Sequence, residues 1–252
     1  MRTELFAIGD IHGQITLFKE MLTHWNEATQ QLLLIGDLGD RGENPKACFI
    51  LADELVNKKG AIWIKGNHEE MLLNFLEQPE KTNDRYIMNG GLKTLETLLH
   101  EGVEDEYSPT EMAMLIVGRY PTLKQRLTSL PLYYEWGNFV FVHAGVDLTK
   151  KDWKQTSPRD FVWIREPFHS MKNKTGKTIV FGHTITPSLY GDNQTSDLWI
   201  KDNKIGIDGG AVYGGSLLGV VFDKTTMLKH YKLVNNGYVW DTKRESKEKI
   251  KD

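Results

Sequence analysis

Five short polar clusters each follow an apolar run directly: Asp10 with His12, Asp37 with Asp40 and Arg41, Asn67 with His68, then His143, and His183. A lone Asp behind a strand is usually a turn or cap residue, and a lone His there is usually a hydrogen-bonded surface residue. Those readings weaken when all five clusters share one position, with a glycine beside most of them to let the chain turn and a ligand approach. Mixed oxygen and imidazole donors suit Mn, Fe or Zn better than Ca or Mg alone. The donors outnumber what one ion takes, so two divalent metals are expected, with Mn first and Fe or Zn as alternatives. Two metals roughly 3.5–4 Å apart clamp a phosphoryl group and generate hydroxide near neutral pH. Arg41 and Arg165 then suit bidentate capture of phosphate oxygens.

The elements that must position these residues are legible as periodicity. Leu5 to Ile8, Leu32 to Ile35 and Ala61 to Ile64 are apolar strands. Between them run two helical patterns, one through Ile15, Leu17, Phe18, Met21, Leu22 and Trp25, the other starting at Pro45 and ending at Lys58-Lys59-Gly60. Such alternation predicts βαβ units, a largely parallel sheet and an α/β fold, with chemistry at the C-terminal ends of the strands. Residues from about 70 to 130 read as a helical insertion, broken at Gly90-Gly91 and containing a capping box at Ser108-Pro109-Thr110-Glu111. It either gates the site or simply covers the sheet. Gly137-Asn138 and Asp202-Asn203 mark two hairpins, and Leu217 to Phe222 with Met227 to Leu233 form a third. We expect one domain over residues 1–240 and a charged, frayed tail over 241–252. Glu69 and Glu70 are expected to favour a helix dipole, Cys48 to lie in the core, and Trp163 to pack beneath Arg165.

Composition narrows the function classes. A chain of 252 residues, 40% hydrophobic and 26% charged, is long enough for a sizeable core. A net charge of −3 gives no field for nucleic acid or an anionic membrane. No apolar run reaches the roughly 20 residues that span a bilayer, and the first strand starts too early to leave room for a signal peptide. The single cysteine, Cys48, excludes an internal disulfide and fits a reducing, cytoplasmic setting. It also excludes a cysteine-based phosphatase loop, because the residue six positions on is Glu54 rather than arginine.

GDIHG (9–13), GDLGDRG (36–42) and GNHE (66–69), in order and about thirty residues apart, resemble the signature of the metal-dependent phosphoprotein phosphatases, a family of the calcineurin-like metallophosphoesterase superfamily. VHAG (142–145) and FGHT (181–184) are similar to that family's two trailing histidine motifs. VWIRE (162–166) and IDGGAV (207–212) resemble its bacterial and bacteriophage branch. The resemblance implies two mixed sheets in a sandwich flanked by helices. It implies that Asp10, His12 and Asp37 hold one metal, that Asp37 bridges, and that Asn67, His143 and His183 complete the second. Arg41, Arg165 and Asn67 match phosphate-binding positions, and His68 with Asp40 matches an acid dyad that protonates the leaving group. The implied activity is phosphomonoester hydrolysis without a covalent phosphoenzyme, most of all on phosphoserine or phosphothreonine in a protein or peptide.

Two positions depart from that pattern. Gly39 replaces a frequent valine, which is expected to loosen the loop, and Gly209 replaces a frequent threonine, which is expected to alter a hydrogen bond at the rim. The main rival is a symmetrically cleaving bis(5'-nucleosyl)-tetraphosphatase. That branch typically has alanine where this chain has Asp40, so Asp40 favours a phosphomonoesterase. A non-catalytic phosphoprotein-binding module should have lost a ligand or an arginine, and none is missing. A nucleic-acid phosphodiesterase would want a basic track or stacking platform, of which the acidic balance gives no sign.

Overall fold

A computed structural model describes residues 2–240; the charged tail expected over 241–252 lies outside the described residues. The first three strands are β1 (Glu4–Ile8), β2 (Gln30–Leu34) and β3 (Ile62–Trp63), linked by helices α1 (Ile15–Leu22) and α2 (Pro45–Lys59). They pair in parallel, as the alternation predicts. Pro45 sits in the first turn of α2, Asn44 accepts the amide of Ala47, and Gly60 closes the helix in a left-handed conformation.

The expected insertion is six helices: α3 (Asn67–Glu77), α4 (Pro79–Met88), α5 (Leu92–Leu98), α6 (Val103–Glu106), α7 (Pro109–Arg119) and α8 (Pro121–Ser129). Gly90 and Gly91 separate α4 from α5, and the capping box at Ser108 and Glu111 starts α7. The remaining elements are β4 (Tyr133–Trp136), β5 (Phe139–Val142), α9 (Pro158–Trp163), β6 (Thr178–Phe181), α10 (Thr186–Tyr190), β7 (Trp199–Lys201), β8 (Lys204–Gly206), β9 (Asp208–Gly209), β10 (Ser216–Phe222) and β11 (Met227–Val234).

Both sheets are mixed. The first runs β11-β10-β1-β2-β3, with β9 paired to β10; the second runs β4-β5-β6-β8-β7. The three predicted hairpins are β4–β5, β7–β8 and β10–β11. Alternation along each strand sorts side chains onto opposite faces. Leu5, Ala7, Leu33 and Ile35 meet Phe139, Phe141, Val180 and Ile205 between the sheets. Phe6, Ile8, Leu32 and Leu34 face the helices α1 to α8 instead. Val140, Val142, Ile179 and Phe181 form a third core with Phe161 and Trp199. This is the calcineurin-like sandwich, and its parallel strands from both sheets end on the same rim. Among the described residues no helix is long and apolar enough to cross a membrane.

Lys204 is an exception to the apolar interior. Its side chain is fully buried, and Nζ donates to the carbonyls of Phe168, His169 and Met171 at 2.9, 2.8 and 2.7 Å. All three ammonium protons are used, which is what makes a buried lysine tolerable without a carboxylate. The bonds pin the turn that follows Arg165.

Candidate functional site

The loop after β2 is built around Asp37. Asp37, Asp40 and Arg41 adopt left-handed backbone (φ 52°, 66° and 66°), as do His12 (45°) and His183 (62°). Non-glycine residues rarely hold such angles, and they gather where the surrounding structure fixes a functional turn. Glu69 supplies much of that fixing. One carboxylate oxygen accepts from the amides of Asp37 and Gly66 and the other from Leu38, each at 2.8 Å. Glu69 therefore acts through these three amides, beyond the helix-dipole role expected of it. Burial, then repulsion from Asp37, pushes its carboxyl up to about 7.

The six candidate ligands converge on one spot. Asp37 Oδ2 lies 3.6 Å from His12 Nε2 and 3.3 Å from His143 Nε2. Asn67 Oδ1 lies 2.9 Å from His143 Nε2 and 2.8 Å from His183 Nδ1. The tautomers are set by outer partners: His12 Nδ1 donates to the Gly39 carbonyl at 2.9 Å and His143 Nδ1 to the Ile35 carbonyl at 3.0 Å. Each ring thus turns its Nε2 inward. Two groups of donor atoms lie close enough to share an ion: Asp37 with His143 and His183, and Asp37 with His12 and His68. The second group contains His68 rather than Asp10. Asp10 instead accepts the His183 amide at 3.0 Å through Oδ2, and its buried Oδ1 has no hydrogen-bond partner among the described residues.

The electrostatics fit divalent cations. Burial, then the neighbouring Asp208, holds Asp10 well above the usual carboxylate range, and burial lifts Asp208 to about 6. Burial would raise Asp37 too, but the imidazoles of His143, His68 and His12 outweigh it and hold it well below its usual value. Burial opposes protonation of His143, yet Asp37 and Asp10 raise it to about 10. Burial keeps His12 and His183 well below the usual imidazole range, in the neutral form that binds metal. Packed carboxylates, the neutral imidazoles of His12 and His183, a His143 that the acids draw towards protonation and an orphaned Asp10 oxygen together mark a centre that calls for positive charge, which divalent metals would supply.

Beside this centre His68 Nδ1 donates to Asp40 Oδ2 at 2.6 Å. The other oxygen, Oδ1, accepts from Tyr86 Oη at 2.8 Å and Thr94 Oγ1 at 2.5 Å. Tyr86 and Thr94 come from the helical insertion, so that segment holds the dyad as well as covering the sheet. Arg41 donates to His12 Nε2 at 2.7 Å. Arg165 is exposed, with Nη2 3.5 Å from the His183 carbonyl. Arg41, Arg165, Asn67 and His68 line one cavity of about 470 Å³, together with Asn89, Trp163, Asp208 and Tyr213.

Several expectations change. Trp163 does not pack beneath Arg165; Arg85 of α4 lies over its ring at 4.9 Å, and its indole donates to Glu70 at 2.7 Å. Gly39 does not loosen its loop. It is buried, and the tip of Phe49 occupies the place a β-carbon would take, so the smaller residue admits a larger neighbour. At Gly209 a β-carbon would strike the Ser216 carbonyl across the β9–β10 pairing, so a threonine has no room on this backbone. Cys48 is core, as expected, and burial pushes its thiol far up. Asp208, Tyr86, Thr94 and Tyr213 were missed as site residues. Only Asp208 carried a signal, standing behind an apolar run and before two glycines as the other clusters do.

A family model described as calcineurin-like phosphoesterase matches residues 4–215. A curated relative from Bacillus mycoides, named bis(5'-nucleosyl)-tetraphosphatase PrpE (asymmetrical), is 29% identical over 245 residues, covering 84% of this chain and 88% of that one. A solved structure provisionally identified as a diadenosine tetraphosphatase superposes with a TM-score of 0.65 at 19% identity, over 94% of this chain and 96% of its own. A protein serine/threonine phosphatase from Saccharomyces cerevisiae superposes with a TM-score of 0.57 at 14% identity, over 93% and 81%. At those identities the two structures speak for the fold alone. The family match spans the strand-end clusters from Asp10 to Asp208, and the chain belongs to the calcineurin-like phosphoesterase family.

Proposed function

We propose that this metallophosphoesterase hydrolyses phosphomonoesters whose leaving group needs a proton, with phosphoserine or phosphothreonine in a protein or peptide as the foremost substrate class. The observation that carries this is the buried His68–Asp40 pair. Asp40 accepts from Nδ1 and so orients the imidazole, leaving Nε2 as the nitrogen that delivers a proton to the departing oxygen. A serine alkoxide leaves poorly without that proton, whereas a nucleotide phosphate leaves readily.

Asp10, His12 and Asp37 would hold one divalent metal, and Asp37, Asn67, His143 and His183 a second, with Mn the first choice. When bound, the pair supplies positive charge to the phosphoryl oxygens and acidifies water. Arg41 and Arg165 grip phosphate from two sides of the cavity. Asn67 contributes a neutral carbonyl, so no further anion faces the dianionic ester. Water forms the new P–O bond in line as the ester P–O bond breaks, one water proton passes to solvent, and His68 gives its proton to the leaving oxygen and regains one from solvent, leaving hydrogen phosphate and the alcohol. The sites assigned here are those the sequence pointed to, now with Tyr86 and Thr94 behind Asp40.

A second reading is favoured by the curated relative: cleavage of a dinucleoside tetraphosphate. The relative's name specifies asymmetrical cleavage, so the symmetrical form considered from sequence is replaced by the asymmetrical one. Trp163 and Tyr213 at the cavity offer aromatic surface that could bear a base. The Mn-loaded protein should be assayed on a phosphoserine peptide, a phosphotyrosine peptide and diadenosine tetraphosphate side by side. Fastest turnover of the phosphoserine peptide is expected. Preferred conversion of the tetraphosphate to ATP and AMP would establish the second reading instead.

A further inference from the structure

We propose that Trp240 is a positioning residue for the phosphate subsite, acting through Arg41; this rests on the reading that Arg41 grips phosphate. Trp240 lies beyond the residues that the family model matches, and it is not among the residues lining the cavity. It is brought to the site by a strap that follows β11. Asn235 anchors the strap, its side chain donating to the carbonyls of Ala211 at 2.7 Å and Tyr238 at 2.6 Å. The Trp240 amide then donates to the Val212 carbonyl at 2.9 Å. These bonds tie the strap to the loop that carries Tyr213.

The guanidinium carbon of Arg41 is 5.2 Å from the centre of the Trp240 ring and 5.5 Å from that of Tyr213. The two ring centres are 5.9 Å apart, at an interplanar angle of 56°. Three nearly equal distances put both rings on one side of the cation, so Arg41 rests in a corner. Its stem is held from another direction. The Arg41 amide donates to the Gly90 carbonyl at 3.0 Å, and a β-carbon at Gly90 would lie 3.3 Å from the Trp240 ring and collide with the Arg41 stem. Gly90 thus leaves room for both. Arg41 Nε is buried with no hydrogen-bond partner among the described residues, and the guanidinium's bond to His12 at 2.7 Å goes to Nε2, a nitrogen that would hold metal, so the rings are the contact left to fix the cation in the loaded site. A long flexible side chain loses less freedom on binding phosphate when it is already fixed. The aromatic corner does that fixing, with cation–π attraction strengthened by exclusion of water.

The test uses the full chain loaded with Mn and reads the affinity for inorganic phosphate by calorimetry, alongside kcat and KM on p-nitrophenyl phosphate. Trp240→Ala should weaken phosphate binding by about 2–30-fold, the worth of a cation–π contact, with metal content unchanged. Trp240→Phe should restore binding towards the parent, since it keeps a ring face. Arg41→Ala should weaken phosphate strongly, and adding Trp240→Ala to it should cost nothing more. Parental affinity in Trp240→Ala, beside a weakened Arg41→Ala, overturns the role of Trp240 and leaves the Arg41 reading standing. Parental affinity in Arg41→Ala overturns that reading and the inference with it. An additive double variant overturns action through Arg41. If Trp240→Ala does not fold, Trp240→Leu keeps apolar bulk without a π face, and parental affinity there overturns the proposal.

Discussion

The two sheets contribute to the site in different ways. The loops after β1, β2 and β3 bring Asp10, His12, Asp37, Asp40, Arg41, Asn67 and His68 from the first 68 residues. Nearly all of these are buried. The second sheet side contributes His143, His183 and Arg165 from chain far away, and Arg165 is exposed. The turn after it is held by Lys204 of β8, which is not among the residues lining the cavity. On the proposed assignment this is a division of labour: the first side would hold fixed charge, proton-transfer geometry and one phosphate grip, while the second would complete the ligand set and supply the exposed grip.

The sharpest break in that comparison is Asp37→Asn. If Asp37 joins the two sides, both metals should be lost together and activity should fall to background. Retention of full stoichiometry by elemental analysis would show that each side binds independently. His68→Asn comes next. It should keep the metals but slow turnover of a phosphoserine peptide by about 10²–10⁴-fold, the usual worth of a general acid. The loss should be smaller with p-nitrophenyl phosphate, and equal losses on both would remove the proton-donor role.

Glu69→Ala probes the rigidity of the first side. It leaves the amides of Asp37, Leu38 and Gly66 unpaired, at about 1–3 kcal/mol for each buried group. Urea unfolding should show the loss, and an unchanged midpoint would mean the loop does not depend on this carboxylate. Lys204→Met should have the smallest effect on chemistry. With the turn after Arg165 loosened, KM should rise while kcat holds, because binding is lost without loss of transition-state contacts. A fall in kcat with constant KM would place Arg165 among the rigid parts.

Local chemistry explains why so much was readable in advance. Asp10, Asp37, Asn67, His143 and His183 each follow an apolar run and precede a turn, and the βαβ rhythm predicts that such runs end on one rim. The strand pairings follow the same period-two pattern that sorts Leu5 from Phe6 and Val140 from Phe141. Tyr86 and Thr94 gave no such sign. They stand 46 and 54 residues from Asp40, inside helices whose periodicity explains them equally well as core.

By itself, then, the sequence determined which residue types end which strands, and from that the kind of chemistry. Those features are set by side-chain period and by turn residues, which act over a few positions. Only the tertiary structure decided how the acids are held: Glu69 on three amides, Asp40 between His68 and the insertion, Asp10 with one oxygen orphaned. It also decided that Trp240 reaches Arg41 across 199 residues of chain (240 less 41) and that Trp163 answers to Arg85 rather than Arg165. Such contacts depend on how whole layers pack, and no local pattern encodes the distance between two faces until both are folded.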